Sequence, residues 1–215
     1  MNLLVDIIIV KYNNKEVEDD CIKSVLEHTK GNYHLTIYDN YPENHNLGKL
    51  WNRLIKQSDA EYVCVLNSDT IVTEGWLEKM MESFELIEDV GVVGPSTDNA
   101  RNHQANKVDE ILIDYGKTYP NWMLSGFCLL FPKTVIEAVG GFPEDFGFYG
   151  QEVFLIKRLE DSGFKQIWRT DAFVHHIGSS SAKKAEADGE FDEKKERAEA
   201  KVRLKSIIPR YNKEK

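Results

Sequence analysis

The apolar run Tyr62-Val63-Cys64-Val65-Leu66 stops abruptly at Asn67-Ser68-Asp69-Thr70, and this junction constrains the fold more than any other stretch of the chain. A run without polar alternation reads as a strand covered on both faces, and its end delivers a carboxylate to the edge of a sheet. In open α/β sheets ligands bind just beyond the carboxyl ends of the strands, so Asp69 stands where a metal or a phosphate-bearing ligand is held. A plainer account is also open. Asp after a strand is commonly a cap or turn residue, with Thr73 and Glu74 starting the next helix.

Other segments repeat the pattern. Val5-Asp6-Ile7-Ile8-Ile9-Val10 reads as a β-branched strand running into Lys11-Tyr12-Asn13-Asn14, and Leu35-Thr36-Ile37-Tyr38 runs into Asp39-Asn40. Helical stretches from about Glu16 to His28 and from Lys49 to Gln57 separate these strands, the alternation expected of βαβ units. The stretch from Gly94 to Pro120 reads as loop, Trp122 to Phe131 as a further strand in which Ser125-Gly126 admits a close ligand, and Gln151 to Ser162 as a helix.

Taken in order, Asn46-Leu47-Gly48 with Asn52, Leu66-Asn67-Ser68-Asp69, Gly140-Gly141-Phe142-Pro143-Glu144, Tyr149-Gly150-Gln151-Glu152 and Val174-His175-His176-Ile177-Gly178 with Ser180 resemble the motif set of GT-A glycosyltransferases of family 2. The likeness is nearest to small rhamnosyltransferase-like bacterial and phage members and covers about residues 5 to 182. It implies a Rossmann-like, single-domain GT-A fold with a mostly parallel central sheet, and an inverting, metal-dependent transfer from a nucleotide-diphosphate sugar to an acceptor hydroxyl. A divalent ion, Mn2+ or Mg2+, suits a diphosphate leaving group, whose charge grows as the glycosidic bond breaks.

The resemblance also assigns residues. Asp69 matches the metal ligand, with Asn67 replacing the first Asp of the usual Asp-x-Asp and turned toward sugar or ribose hydroxyls. His175 aligns with the His that holds metal or diphosphate; strand alternation sends His175 and His176 to opposite faces, and His176 is read as a core or surface residue. Glu152 matches the general base, although Gln151-Glu152 stands where Glu-Asp is usual; loss of the neighbouring carboxylate should leave its pKa lower than in a carboxylate pair. Tyr12, Asn13, Asp39, Asn46 and Gly48 fall on the donor side. Gln151, Trp122 and Arg101 fall on the acceptor side, with Asp98 and His103 as further acceptor-side candidates. Lys11 replaces a small residue and reaches either toward phosphate or across the sheet edge. Trp51 stands where many members have Arg.

The 215 residues suffice for one core, and 27 Lys and Arg against 36 Asp and Glu give a net charge of −9, which disfavours tight nonspecific binding to nucleic acid. There is no apolar run of membrane-spanning length and no signal-peptide pattern at the start. The three scattered cysteines, Cys21, Cys64 and Cys128, lack metal-ligand spacing and fit a reduced, cytoplasmic setting. The expected division is a catalytic domain over 1–182 and a charged helical arm over 183–215, with Phe191, Val202, Leu204 and Ile207 spaced along it and an end at Pro209; a solvated helix is the default, with packing on the body, dimerisation or contact with an anionic membrane surface as alternatives. The acceptor expected is a glycan, a lipid-linked sugar or a modified nucleic acid. Two other functions fit the same pattern: a nucleotidyltransferase of similar fold, which the missing Gly-rich phosphate loop after the first strand disfavours, and a catalytically silent sugar-nucleotide or glycan-binding module.

Overall fold

A computed structural model of the chain describes residues 4–178, 186–187, 189 and 192–208. Its first half is built as the alternation predicts: β1 (Val5–Lys11), α1 (Lys15–His28), β2 (Tyr33–Asp39), α2 (Leu47–Gln57) and β3 (Tyr62–Asn67). β1 pairs in parallel with β2 and β3, and Val10 lies opposite both Tyr38 and Asn67. All three strands therefore end level, and the polar residues that follow them share one edge.

The chain continues through β4 (Thr70–Val72), α3 (Trp76–Leu86), β5 (Val90–Ser96), β6 (Leu112–Asp114), α4 (Tyr115–Thr118), β7 (Cys128–Pro132), α5 (Lys133–Ala138), α6 (Gln151–Asp161), β8 (Lys165–His176) and α7 (Glu193–Ile207). The sheet order is β2-β1-β3-β7-β5-β8-β4, with β6 also on β8. β7 is antiparallel to both neighbours, β3 and β5, and β8 is parallel to β5. Five strands thus point one way, which makes the sheet mostly parallel; β7, β4 and β6 run against them.

Side-chain alternation along the strands builds two cores. Ile8, Val63, Val65, Leu129 and Phe131 face α2, α6 and the C-terminal Leu204 and Ile208. Ile7, Ile9, Cys64, Leu66 and Leu130 face α1 and α3, where Trp76 and Met80 are fully buried. Helices therefore cover both faces, as fully apolar strands require.

Three expectations change in detail. Only the last part of the Trp122–Phe131 stretch is strand, because its earlier backbone is held by side chains instead of a neighbouring strand. The Leu124 N–H donates to Gln166 Oε1 (3.0 Å), the Ser125 N–H to Gln104 Oε1 (2.6 Å), and Gln166 Nε2 donates to the Trp122 carbonyl (3.0 Å). The loop expected over Gly94–Pro120 contains the end of β5 together with β6 and α4. The C-terminal helix is no solvated arm: Ala200, Leu204 and Ile208 are buried in the body. The division at 182/183, Ser180, Phe191 and Pro209 lie outside the described residues. Among the described residues no helix is long and apolar enough to cross a membrane.

Candidate active site

A cavity of about 770 Å³ opens at the edge where β1 and β3 end. Tyr12, Asn67, Ser68 and Asp69 line its sheet side, the 120–127 loop and the start of α6 line the opposite side, and His176 with Ile177-Gly178 comes in from the end of β8. Arg197, Ala200, Lys201 and Leu204 of α7 complete the wall.

At the foot of this cavity Asp69 and His176 meet, with His176 Nε2 3.5 Å from Asp69 Oδ1. Both are held by backbone. The Ile177 N–H donates to the Asp69 carbonyl (2.9 Å), and β4 pairs Thr70 with His176. The His176 ring stacks on Phe127 at a centroid distance of 5.2 Å, and its Nδ1 lies 2.9 Å from the Asn99 carbonyl. A carbonyl only accepts, so Nδ1 carries the hydrogen, and Nε2 then turns a lone pair toward a carboxylate. Two such groups facing each other call for a proton or a cation between them. Burial pushes the pKa of His176 down, but the hydrogen bond and charge of Asp69, with Asn99 and Asp98 behind them, outweigh it and raise it above the ordinary value. An imidazole fixed by a backbone carbonyl beside a carboxylate is a donor set that fits a divalent ion. Among the described residues no three His, Cys, Asp or Glu side chains converge on one cation position, so a cation there completes its shell with ligand oxygens and water, as magnesium and manganese commonly do.

His176, and not His175, therefore stands beside Asp69 in the cavity. Alternation along β8 does send the two rings apart, but it buries Ala172, Val174 and the His176 side chain and leaves His175 half exposed. His175 instead pairs Nδ1 with Asp98 Oδ2 at 2.8 Å, and Asp98 Oδ1 also accepts the His176 backbone N–H at 3.1 Å. Asp98 thus braces the strand end and does not line the cavity.

Glu152 lines the cavity in the first turn of α6, two residues after Gly150, whose left-handed backbone (φ 88°) turns the chain into the helix. Its side chain lies against Gly126, where a Cβ would come 3.1 Å from Glu152 Cγ. Burial raises its pKa above the ordinary 4.5, outweighing the N–H groups of Glu152 and Gly150 and the positive charge of Arg197. That rise comes from desolvation, and neutral Gln151 adds no carboxylate repulsion to it. Gln151, expected on the acceptor side, does not line the cavity: it is 1% exposed and donates through Nε2 to the Gly147 carbonyl.

At the nucleotide-sized end, Tyr12 is buried against Tyr41, edge to face at 5.7 Å, and its N–H donates to Glu18 Oε1 (2.6 Å). Asn13 adopts φ 50° in the turn that follows. Asp39 is exposed at the rim, accepting the Tyr41 N–H at 3.1 Å, and Lys11 reaches Glu18 and Asp39 across the sheet edge. Its neighbour Asn40 lines the cavity and closes the next turn, its amide exchanging hydrogen bonds with His45. Asn67 lines the cavity as expected, its N–H bound to the Phe127 carbonyl.

Asn46, Gly48 and Asn52 do not line the cavity and instead hold a neighbouring loop. Asn46 caps α2 through the Lys49 N–H (3.1 Å) and donates to the Phe146 carbonyl (2.6 Å). A Cβ on Gly48 would fall 2.2 Å from the Pro143 carbonyl oxygen. Asn52 accepts the Phe142 N–H (2.8 Å) and donates to the Phe142 carbonyl (2.9 Å) and to Glu144 (3.0 Å). The early Asn-Leu-Gly segment therefore grips the Gly-Gly-Phe-Pro-Glu loop that leads to Glu152. Trp51, beside them, packs on Phe142 at 4.7 Å and lines the cavity.

On the remaining side Arg101 and Trp122 are exposed at the cavity wall. His103 lies behind Trp122, stacked on Tyr119 at 3.8 Å and near Tyr115 Oη (3.3 Å), so it supports the wall. Arg197 and Lys201 were not foreseen, because the mixed-charge tail carries no apolar stripe broad enough to announce docking.

Residues 40–140 match glycosyl transferase family 2. No curated protein matches. Among solved structures the chain is similar to the mannosyltransferase PcManGT from Pyrobaculum calidifontis, in complex with GDP-Man and Mn2+, with a TM-score of 0.65 at 15% identity over 82% of this chain and 57% of that one. It is also similar to GalNAc-T7 with UDP, GalNAc and Mn2+, with a TM-score of 0.63 at 9% identity over 81% of this chain and 44% of that one. The chain thus spans about half the length of these structures. The shared fold is that of GT-A glycosyltransferases.

Proposed function

We propose that this chain, a glycosyltransferase with a GT-A fold and a family 2 sequence core, moves a sugar from a nucleotide-diphosphate donor to an acceptor hydroxyl with inversion. The observation that carries the reading is the pairing of Asp69 with His176 in a cavity that the partly buried Glu152 also lines. Tyr12, Asn13 and the rim residue Asp39 take the nucleoside, and Asn67 takes ribose or sugar hydroxyls. Asp69 and His176 hold a manganese or magnesium ion, which when bound offsets the charge developing on the diphosphate. Glu152 accepts the proton of the acceptor hydroxyl as its oxygen attacks the anomeric carbon opposite the departing diphosphate, and a carboxylate with a raised pKa is the better proton acceptor near neutral pH. Trp122 and Arg101 form the acceptor side.

The case for a catalytically silent module rested on Gln151-Glu152 standing where Glu-Asp is usual. Gln151 is buried and does not line the cavity, which weakens the part of that case that rests on its neutral side chain.

The test is thermal unfolding with UDP-, GDP-, CMP- and dTDP-sugars, with and without manganese, because a ligand bound only by the folded state raises the midpoint. One donor should give a manganese-dependent rise that His176→Ala abolishes and His175→Ala retains. Retention by H176A with loss in H175A would overturn the metal assignment, and no rise with any donor would count against the transferase reading.

A further inference from the structure

The chain turns into the Glu152 helix through Asp145-Phe146-Gly147-Phe148-Tyr149-Gly150, and α7 touches every one of these six residues. Arg203 donates to the Asp145 carbonyl, and its guanidinium sits 5.5 Å from the Phe146 ring centroid. Glu196 lies so close to Gly147 that a Cβ there would fall 1.8 Å from its Oε2, and the same oxygen accepts the Phe148 N–H at 3.0 Å. Tyr149 Oη donates to Glu193 Oε1 at 3.1 Å, with the Arg197 guanidinium 3.8 Å over the Tyr149 ring and its Nε donating to the same carboxylate oxygen at 2.6 Å. Leu204 Cδ1 would be 3.0 Å from a Cβ on Gly150.

We infer that α7 is a positioning element for Glu152: its Glu193 and Glu196 carboxylates fix the 145–150 loop and so set where the base presents its carboxylate in the cavity. The inference rests on the proposed role of Glu152. Three features of the contact set argue for this function over simple surface packing. The loop contains Gly147 at the point of closest approach, where any side chain would evict Glu196. Two consecutive carboxylates one helical turn apart, at positions 193 and 196, take adjacent loop donors, which is the spacing that puts both on one helix face. The same helix presents Arg197 and Lys201 to the cavity and Leu204 to the core, so the element that grips the loop is itself anchored in the body. A loop held by α7 and also by Asn46 and Gln151 leaves little freedom to the first turn of α6, which carries Glu152, and misplacing a catalytic group by about 1 Å costs up to about a hundredfold in rate.

The test is the full-length double variant Glu193→Ala/Glu196→Ala, with Glu196→Gln as the conservative partner, whose amide oxygen still accepts the Phe148 N–H. The double variant should lower kcat by about ten- to hundredfold, with the donor KM and the donor-induced rise in unfolding midpoint unchanged. Hydrogen exchange of the 145–152 backbone should accelerate in the double variant and stay near that of the parent in E196Q, which keeps most of the activity. Parental kcat in the double variant, a matching loss of donor binding, or an E196Q variant as impaired as the double one would each overturn the inference. If the parent transfers no sugar from any donor, the transferase reading fails separately; unchanged exchange in the double variant would then still dismiss the grip of α7 on the loop.

Discussion

Glu152 holds a proton more tightly in the folded chain than a carboxyl in water does, because burial at the cavity wall disfavours its charge. The sign of the linkage follows. A group whose folded pKa is raised contributes stability that is full below its unfolded pKa, near 4.5, and is lost as pH rises through the folded value. At neutral pH the ionised carboxylate is therefore a burden on the fold. Glu152→Gln should keep donor binding, lose about 10²- to 10⁴-fold in transfer, and unfold at a higher temperature than the parent at pH 7, the difference shrinking toward pH 4. In the parent, the acid limb of kcat should fall above the ordinary carboxylate range. Near-parental turnover by E152Q would remove Glu152 from the chemistry, and a lower midpoint at pH 7 would contradict the desolvated charge. Both outcomes expected for E152Q together would make Glu152 a case of the trade between stability and activity.

At the scale of elements, the segment from Asn46 to Asn52 shows how sequence motifs can mislead about touch and still be right about place. Gly48 allows α2 to meet the Pro143 backbone, and the contact is with main chain, which cannot rotate away. Gly48→Ala should destabilise the protein by about 1–3 kcal/mol, as overpacking does, measured by denaturant unfolding; a change within ~0.5 kcal/mol would mean the two segments part easily. The strands, their polar ends and the placing of Asp69 and Glu152 at one edge were legible, because apolar runs and strand-end carboxylates report local geometry directly. The exchange of His175 for His176 was not. The larger apolar residue, Phe173, lies on the same side as His175, whereas the buried alternation passes through small Ala172 and Val174, and only pairing with β4 reveals which face is covered. Gln104 and Gln166, fully buried and bonded to the 122–125 backbone, likewise replace strand pairing by side-chain hydrogen bonds between segments far apart in sequence. No local pattern encodes such bonds.

For the molecule as a whole, the question is whether the C-terminal helix is part of the fold or an appendage. Its composition is that of a solvated helix, but Ala200 on it is buried and Leu204, 2% exposed, joins the core cluster that also holds residues of α6 and β3. Leu204→Ala should therefore cost about 2–5 kcal/mol, the range for truncating a core leucine, within a single cooperative transition. Val202→Ala, at a position 68% exposed on the same helix, should stay within ~0.5 kcal/mol. A separate early transition for L204A, or equal small effects for both variants, would make the helix an independent arm and would leave the cavity with an open wall where Arg197 and Lys201 now stand. Cooperative loss in L204A alone would instead tie the closing of the candidate active site to the folding of the domain, since the same helix turns supply the core residue, the cavity wall and the contacts to the loop before Glu152.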